Sequence, residues 1–194
     1  MSHYFTNDDS PLVTREIRAT IFGNELTFTT ANGVFSGSRL DLGTAVLLRS
    51  VDPPASGHVL DLGCGFGPIA VGLAVASPGI SVDAVDVNER ALALTRLNAE
   101  RAGVADRVRC FSPDGVLYDE IWSNPPIRIG KQALHELLLE WLPRLRDGGA
   151  AYLVVGRNLG ADSLAAWLGE QGWPTTKLAS AKGFRVLKVQ RHSS

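Results

Sequence analysis

The sequence predicts an α/β protein: a mostly parallel sheet with helices on both faces, an antiparallel final strand, and an N-terminal β-hairpin and helix extension. Three observations carry this. From His58 onward, short β-type runs alternate with longer helix-type runs. The first such strand, Val59–Leu62, passes straight into a glycine-dense turn, Gly63-Cys64-Gly65-Phe66-Gly67-Pro68, and then into an apolar helix, which is the opening unit of a nucleotide-binding sheet. Five β-then-α steps require parallel pairing through right-handed crossovers, and a closing β pair fits as an antiparallel edge.

A chain of 194 residues holds one such domain and a small appendage. Hydrophobic residues make up 45%, enough for an ordinary packed core. The formal net charge of −1 argues against a globally basic nucleic-acid binder and leaves room for a local basic patch. Two cysteines, Cys64 and Cys110, suggest neither a disulfide framework nor a metal site. The N-terminus carries no apolar signal region, and no apolar run of about 18 residues exists. The expectation is a cytoplasmic protein without membrane or metal.

Met1 to Thr14 is polar and reads as loosely ordered. Glu16–Phe22 alternates with Ile17, Ala19 and Ile21 on one side, Gly23-Asn24 is a turn signal, and Glu25–Thr29 continues with Leu26 and Phe28, so a β-hairpin is expected. Gly33–Gly37 is a flexible stretch holding one large apolar side chain, Phe35. Asp41 can cap a helix from about Leu42 to Ser50, and Asp52-Pro53-Pro54 ends this extension, residues 1–52.

The main domain, residues 53–194, then follows in order. Val59–Leu62 is a strand, and Ile69–Ala76 is a helix stopped by Pro78-Gly79. Ile80–Val85 is a strand ending at Asp86, and Asn88 caps a helix running to about Ala102, where Gly103 stops it. Arg107–Phe111 and Tyr118–Ser123 are strands. Lys131–Leu145 is a periodic helix, stopped by Gly148-Gly149. Ala150–Gly156 is a strand, Ala161–Gln171 a helix, and Trp173–Leu178 with Phe184–Gln190 the final antiparallel pair.

A lone glycine turn is weak evidence for a ligand. The dinucleotide fingerprint G-x-G-x-x-G would put its third glycine at position 68, which is Pro68; the pattern here is D-x-G-x-G-x-G, with Asp61 at the strand end. An aspartate there suits a positively charged ligand group, such as an α-ammonium, better than a pyrophosphate. Pro68 thereby disfavours a nicotinamide dehydrogenase. The competing reading is a turn that merely permits tight helix–strand packing.

The strand Tyr118–Ser123 runs directly into Asn124-Pro125-Pro126-Ile127. The first proline pushes Asn124 toward extended geometry, and both prolines fix their own φ. The result is a stiff turn at the carboxyl end of the sheet, where ligands of open α/β sheets bind. There the Asn124 side-chain oxygen and the Pro125 carbonyl can converge as two acceptors. Such a pair can grip the hydrogens of an exocyclic amino group and aim its delocalised lone pair at an electrophilic methyl, by positioning and electrostatics alone. Alternatively, Pro-Pro simply ends the strand.

The glycine turn resembles the S-adenosylmethionine-binding motif of Rossmann-like methyltransferases. The second turn resembles the N-P-P-[F/Y/W] motif of amino-group methyltransferases, which act on adenine N6, guanine N2 or glutamine amides. Gly33-Val34-Phe35-Ser36, Leu40-Asp41-Leu42-Gly43-Thr44, Asp61 to Pro68 and Ser123 to Gly130 together resemble the small-subunit ribosomal RNA guanine-N2 methyltransferases and their short stand-alone relatives. This likeness covers most of the chain beyond about residue 16; family members with a second, degenerate N-terminal domain are about twice as long. It implies an enzyme that binds S-adenosyl-L-methionine and acts on ribosomal RNA or the small ribosomal subunit, with the target base extruded from its stack.

The resemblance also implies roles. Asp61, Gly63, Gly65 and Gly67 would hold the methionine end, Asp86 the ribose hydroxyls and Val87 the adenine, while Asp114 would accept from the adenine amino group or act only as a turn residue in Pro113-Asp114-Gly115. Asn124, Pro125, Pro126 and Ile127 would form the catalytic turn. Ile127 departs from the family's aromatic, whose stacking is worth roughly 1–3 kcal/mol per base; Phe35 is a candidate substitute ring. Arg39, Arg128, Lys131 and Arg157 are candidates for a basic rim, each also readable as an ordinary surface charge. His135 and Trp122 read as structural. A protein glutamine or small-molecule methyltransferase, and a non-catalytic binding module, are the alternatives.

Overall fold

The computed structural model describes residues 9–35 and 38–191. Residues 1–8 of the polar N-terminus and Ser36-Gly37 of the flexible stretch lie outside them. Ser10 to Val13 is tied down: Asn32 donates to Ser10 and Pro11 and accepts from the Val13 N–H at 2.8 Å, and Arg90 donates to the Ser10 carbonyl.

Strands β1 (Thr14–Ile21) and β2 (Asn24–Ala31) form an antiparallel hairpin with Ile17 opposite Phe28. Its two-residue turn takes positive φ at Phe22 and Gly23, the geometry that suits the twist of a hairpin. Helix α1 (Leu42–Ser50) starts at Asp41, whose side chain accepts from the Thr44 N–H at 3.0 Å.

The remaining elements are β3 (Gly57–Leu62), α2 (Pro68–Ala76), β4 (Ile80–Val85), α3 (Glu89–Arg101), β5 (Val108–Arg109), β6 (Tyr118–Ser123), α4 (Lys131–Trp141), β7 (Leu145–Gly156), α5 (Ala161–Glu170), β8 (Thr175–Ala181) and β9 (Phe184–Gln190). The sheet order is β5-β4-β3-β6-β7-β9-β8, parallel through β7, with β9 antiparallel to both neighbours. The chain moves outward from β3 to β4 and β5 and then returns to β6 on the other side of β3. The carboxyl ends of β3 and β6 therefore lie side by side, Leu62 paired with Ser123, at the point where strand order reverses.

Three boundaries differ from expectation. The strand expected over Arg107–Phe111 narrows to Val108–Arg109, and no helix follows it, so four β-then-α steps exist rather than five. Residues 110–117 are occupied by a loop held by Arg144, which donates to the Pro113 and Val116 carbonyls. Helix α4 stops at Trp141, because Leu142-Pro143-Arg144 tightens into a 3-10 turn, and β7 then begins at Leu145. Gly148-Gly149 is consequently a bulge inside β7 and not a helix stop: the β6 partner shifts from Leu145 to Ala150 between Tyr118 and Glu120.

Two apolar cores flank the sheet. One gathers the hairpin, α1, α2, α3 and Trp122; the other gathers α4, α5, Leu60, Leu62 and Ile121. The hairpin packs closely on the first, and a Cβ on Gly72 of α2 would stand 2.6 Å from Ile21. Buried Asn98 of α3 fastens the join: it accepts from the Thr29 N–H at 2.8 Å and donates to the Thr29 and Phe66 carbonyls at 2.9 and 2.8 Å. Trp122 is fully buried in the core, edge-on to Phe22, and His135 stacks on Trp167 with centroids 3.5 Å apart.

Candidate active site

A cavity of about 720 Å³ opens at the carboxyl ends of β3, β4 and β6. One wall is the glycine turn. The Gly63 and Cys64 N–H groups both donate to the Val85 carbonyl, at 2.9 and 3.0 Å, tying the turn to the end of β4. Gly63, Gly65 and Gly67 all have positive φ. A Cβ on Gly63 or Gly65 would meet nothing within 4 Å, and both residues line the cavity. Gly67 does not; a Cβ there would press on Thr95 of α3 at 3.0 Å. The third glycine thus serves helix packing, not the ligand wall.

Asp61 lies buried behind this turn. One oxygen accepts from the Ala70 N–H at 3.0 Å, capping α2 from a neighbouring strand, since the Gly67 N-cap has no side chain. The other oxygen is buried with no partner. Burial pushes the Asp61 pKa up to about 8 against the pull of the Ala70 N–H, and nearby Asp86 adds to the rise.

Asp86 lines the cavity and braces two loops: its oxygens accept from the Gly65 and Asn88 N–H groups, each at 2.9 Å. Burial raises its pKa in spite of these bonds. Helix α3 is capped by Asn88 itself, which accepts from the Arg90 and Ala91 N–H groups. Val87 is exposed on the cavity edge. Cys64 also faces the cavity, but burial pushes its thiol well above the ordinary range, so it is no nucleophile at neutral pH.

Beside the glycine turn, the Asn-Pro-Pro turn forms another part of the wall. Ser123 Oγ donates to the Leu62 carbonyl at 2.7 Å, locking the turn to the end of β3. Asn124 Nδ2 donates to Asp41 at 2.8 Å and to Thr44 Oγ1 at 3.1 Å. Asn124, Pro126, Asp41 and Thr44 line the cavity, and Pro125 is buried beneath it. The amide and the glycine turn thus share one cavity.

Two expected residues lie elsewhere. Asp114 is exposed in the β5–β6 turn, which Arg144 holds near the amino ends of β6 and β7, away from the cavity. The strand meant to carry it to the ligand end is too short. Ile127, in a 3-10 turn, faces a separate small cleft between α4 and α5, with Lys131, His135 and Leu159. Arg128, Lys131 and Arg157 are exposed in the loops and helix start that border this cleft, and Arg39 is exposed near the Asp41 cap.

Sequence reasoning missed Thr44, Leu137 and Trp141, all of which line the cavity. Leu137 and Trp141 are one helical turn apart on α4, a spacing equally usual for a core stripe, so no local signal separated them. The described lining contains the carboxylates Asp9, Asp41 and Asp86 and no Lys, Arg or His. Such a cavity favours a cationic ligand and disfavours a pyrophosphate. Among the described residues no group of three or more His, Cys, Asp or Glu is placed to hold a metal, and no helix is long and apolar enough to cross a membrane.

This strand order, with a carboxylate-backed glycine turn beside an Asn-Pro-Pro turn, defines a Rossmann-like methyltransferase. The comparisons with known proteins agree. The methyltransferase small domain profile matches residues 25–188, and the chain belongs to that family. It is 30% identical to uncharacterized protein YbxB of Bacillus subtilis, covering 97% of this chain and 98% of that protein. It is 38% identical to ribosomal RNA small subunit methyltransferase C of Pseudomonas entomophila, over 82% of this chain and 49% of that one. The structure of the T. thermophilus 16S rRNA N2 G1207 methyltransferase (RsmC) in complex with AdoMet and guanosine superimposes with a TM-score of 0.81, at 25% identity, covering 94% of this chain and 52% of that one. The chain spans about half the length of the ribosomal RNA methyltransferases it matches.

Proposed function

We propose that this protein transfers a methyl group from S-adenosyl-L-methionine to an exocyclic amino group, namely guanine N2 of 16S ribosomal RNA. The observation that carries the reading is the Asn124 amide, held by its nitrogen in the same cavity that the glycine turn lines. The cofactor fits the residues present. The orphaned oxygen of Asp61 suits its ammonium, Asp86 retains lone pairs for ribose hydroxyls, and the open faces of Gly63 and Gly65 leave room for close approach. Val87, Leu137 and Trp141 offer apolar surface to the adenine. Bound S-adenosylmethionine supplies an electrophilic sulfonium methyl.

The chain's own task is positioning. With both Nδ2 hydrogens engaged, Asn124 Oδ1 is free to accept a hydrogen from the target amine, and the Pro125 carbonyl is the expected second acceptor. Gripping both hydrogens turns the nitrogen lone pair toward the methyl donor. The proton leaves for solvent after transfer, when the nitrogen has become acidic, so no general base is required. Phe35, half-exposed on the cavity rim, replaces Ile127 as the ring for the extruded base. Residues 1–52 act in this reading as an extension completing the site of the 53–194 domain, and exposed Arg128, Lys131 and Arg157 serve RNA phosphates. A cytoplasmic location is the corresponding expectation.

The test is mass-spectrometric nucleoside mapping of small-subunit RNA from cells lacking the protein. The expected result is loss of one N2-methylguanosine, restored by wild type and not by Asn124→Ala. An unchanged RNA map, with labelled methyl transfer to protein or metabolite pools instead, would reject the RNA substrate.

A further inference from the structure

We infer that Asp41 and Thr44, at the start of α1, are positioning residues that set the Asn124 amide for catalysis. The inference rests on the catalytic reading of Asn124 above. Asp41 is usually read as a helix cap, and it does cap α1 through the Thr44 N–H at 3.0 Å. The same oxygen, Oδ2, also accepts from Asn124 Nδ2 at 2.8 Å, across 83 residues of sequence. The second Nδ2 hydrogen goes to Thr44 Oγ1 at 3.1 Å.

The carboxylate decides which way the amide points. A carboxylate accepts and does not donate, so the atom facing it must be the amide nitrogen. The buried Thr44 hydroxyl takes the remaining hydrogen. Both donors are then consumed, no described residue donates to Oδ1, and that oxygen is left for the cavity. A negative acceptor on the nitrogen side also polarises the amide and strengthens Oδ1 as an acceptor. A free Asn side chain would present either its oxygen or its nitrogen; the nitrogen end would repel an amino group's hydrogens. Helix α1, which lies outside the nucleotide-binding core, thereby completes the catalytic turn.

The variants are Asp41→Ser, which keeps a good N-cap but is too short to hold the amide, and Thr44→Val, which keeps shape and loses the acceptor. Each is assayed with unmodified small-subunit RNA transcript, or with subunits from cells lacking the protein, and titrated with S-adenosylhomocysteine. Each should lower kcat about tenfold or more, a larger factor than any loss of S-adenosylhomocysteine affinity, with thermal unfolding still cooperative. In an Asn124→Ala background neither should lower the rate further, since both act through that amide. Asp41→Asn, whose amide can still accept from both partners but is uncharged and can also turn its own N–H groups toward Asn124, should recover only part of the rate lost in Asp41→Ser.

Wild-type kcat in Asp41→Ser, or a full additional loss in the Asn124→Ala background, would overturn the inference. Wild-type rate in Asn124→Ala would instead sink the catalytic reading. One readout is independent of substrate: hydrogen exchange of the Asn124 side-chain NH2, followed by nuclear magnetic resonance. It should speed up about tenfold or more in Asp41→Ser; unchanged exchange would overturn the inference whatever the RNA assay gives.

Discussion

Asp61 accepts the Ala70 backbone N–H at 3.0 Å through one oxygen and buries the other without a partner. The first bond is structural, capping α2. The second oxygen has no partner among the described residues, and burial pushes this carboxyl up to about 8, so that it is largely protonated at neutral pH in the free protein.

Binding of an ammonium-bearing ligand should therefore release a proton. Calorimetric titration with S-adenosylhomocysteine at pH 7, in buffers of different ionisation enthalpy, should show release approaching about one proton, shrinking as pH rises past about 8. The folded pKa lies above the unfolded value, so the contribution of Asp61 to stability is complete below roughly pH 4 and is lost as pH rises through the folded pKa. Asp61→Asn should abolish the proton release.

Asp86 and Asp114 should separate cleanly. Asp86→Ala removes a cavity carboxylate that also braces Gly65 and Asn88, and it should weaken S-adenosylhomocysteine binding about tenfold to a hundredfold. Asp114→Ala, in the exposed turn, should leave that affinity within about twofold, a difference too small to exceed a surface effect. Equal losses in both variants would return Asp114 to the site.

Asn98 should behave as a structural rivet. Asn98→Ala leaves the Thr29 N–H and the Thr29 and Phe66 carbonyls without partners in a buried place. Chemical denaturation should show a loss of about 3 kcal/mol, and limited proteolysis should cut first near the hairpin.

Acid should unfold the protein partly through Asp83. Burial alone would raise this carboxyl, but hydrogen bonds from Arg109, Tyr118 and His58 outweigh it and hold the pKa below the ordinary value. With the folded pKa depressed, the stabilisation is present above the unfolded pKa, roughly 4, and is lost as pH falls through the folded pKa. Asp83→Asn should flatten stability against pH below about 4 while lowering stability at neutral pH, as followed by circular dichroism.

Much of this was legible in the chain. The glycine turn, the acid at the end of Ile80–Val85 and the stiff Asn-Pro-Pro turn are local signals, each bounded by a strand of clear periodicity. The failures have physical causes. Arg107–Phe111 looks like a strand, but the loop after it is claimed by Arg144 from the other side of the sheet. Lys131–Leu145 keeps its apolar period beyond Trp141, yet Pro143 tightens the last turn. Ile127 is expected in the site as the last member of the Asn-Pro-Pro-Ile turn, but the 3-10 turn carries it into the neighbouring cleft.

By itself the sequence determined the fold class, the two motif turns and their common end of the sheet, because strand period, glycine φ and proline stiffness act within a few residues. Tertiary structure decided which side chains face the cavity and which way they point. Asp41 reads locally as a helix cap, and only the docking of α1 brings it to 2.8 Å from the Asn124 amide. Hydrogen bonds between residues so distant in sequence depend on packing, which no local pattern encodes.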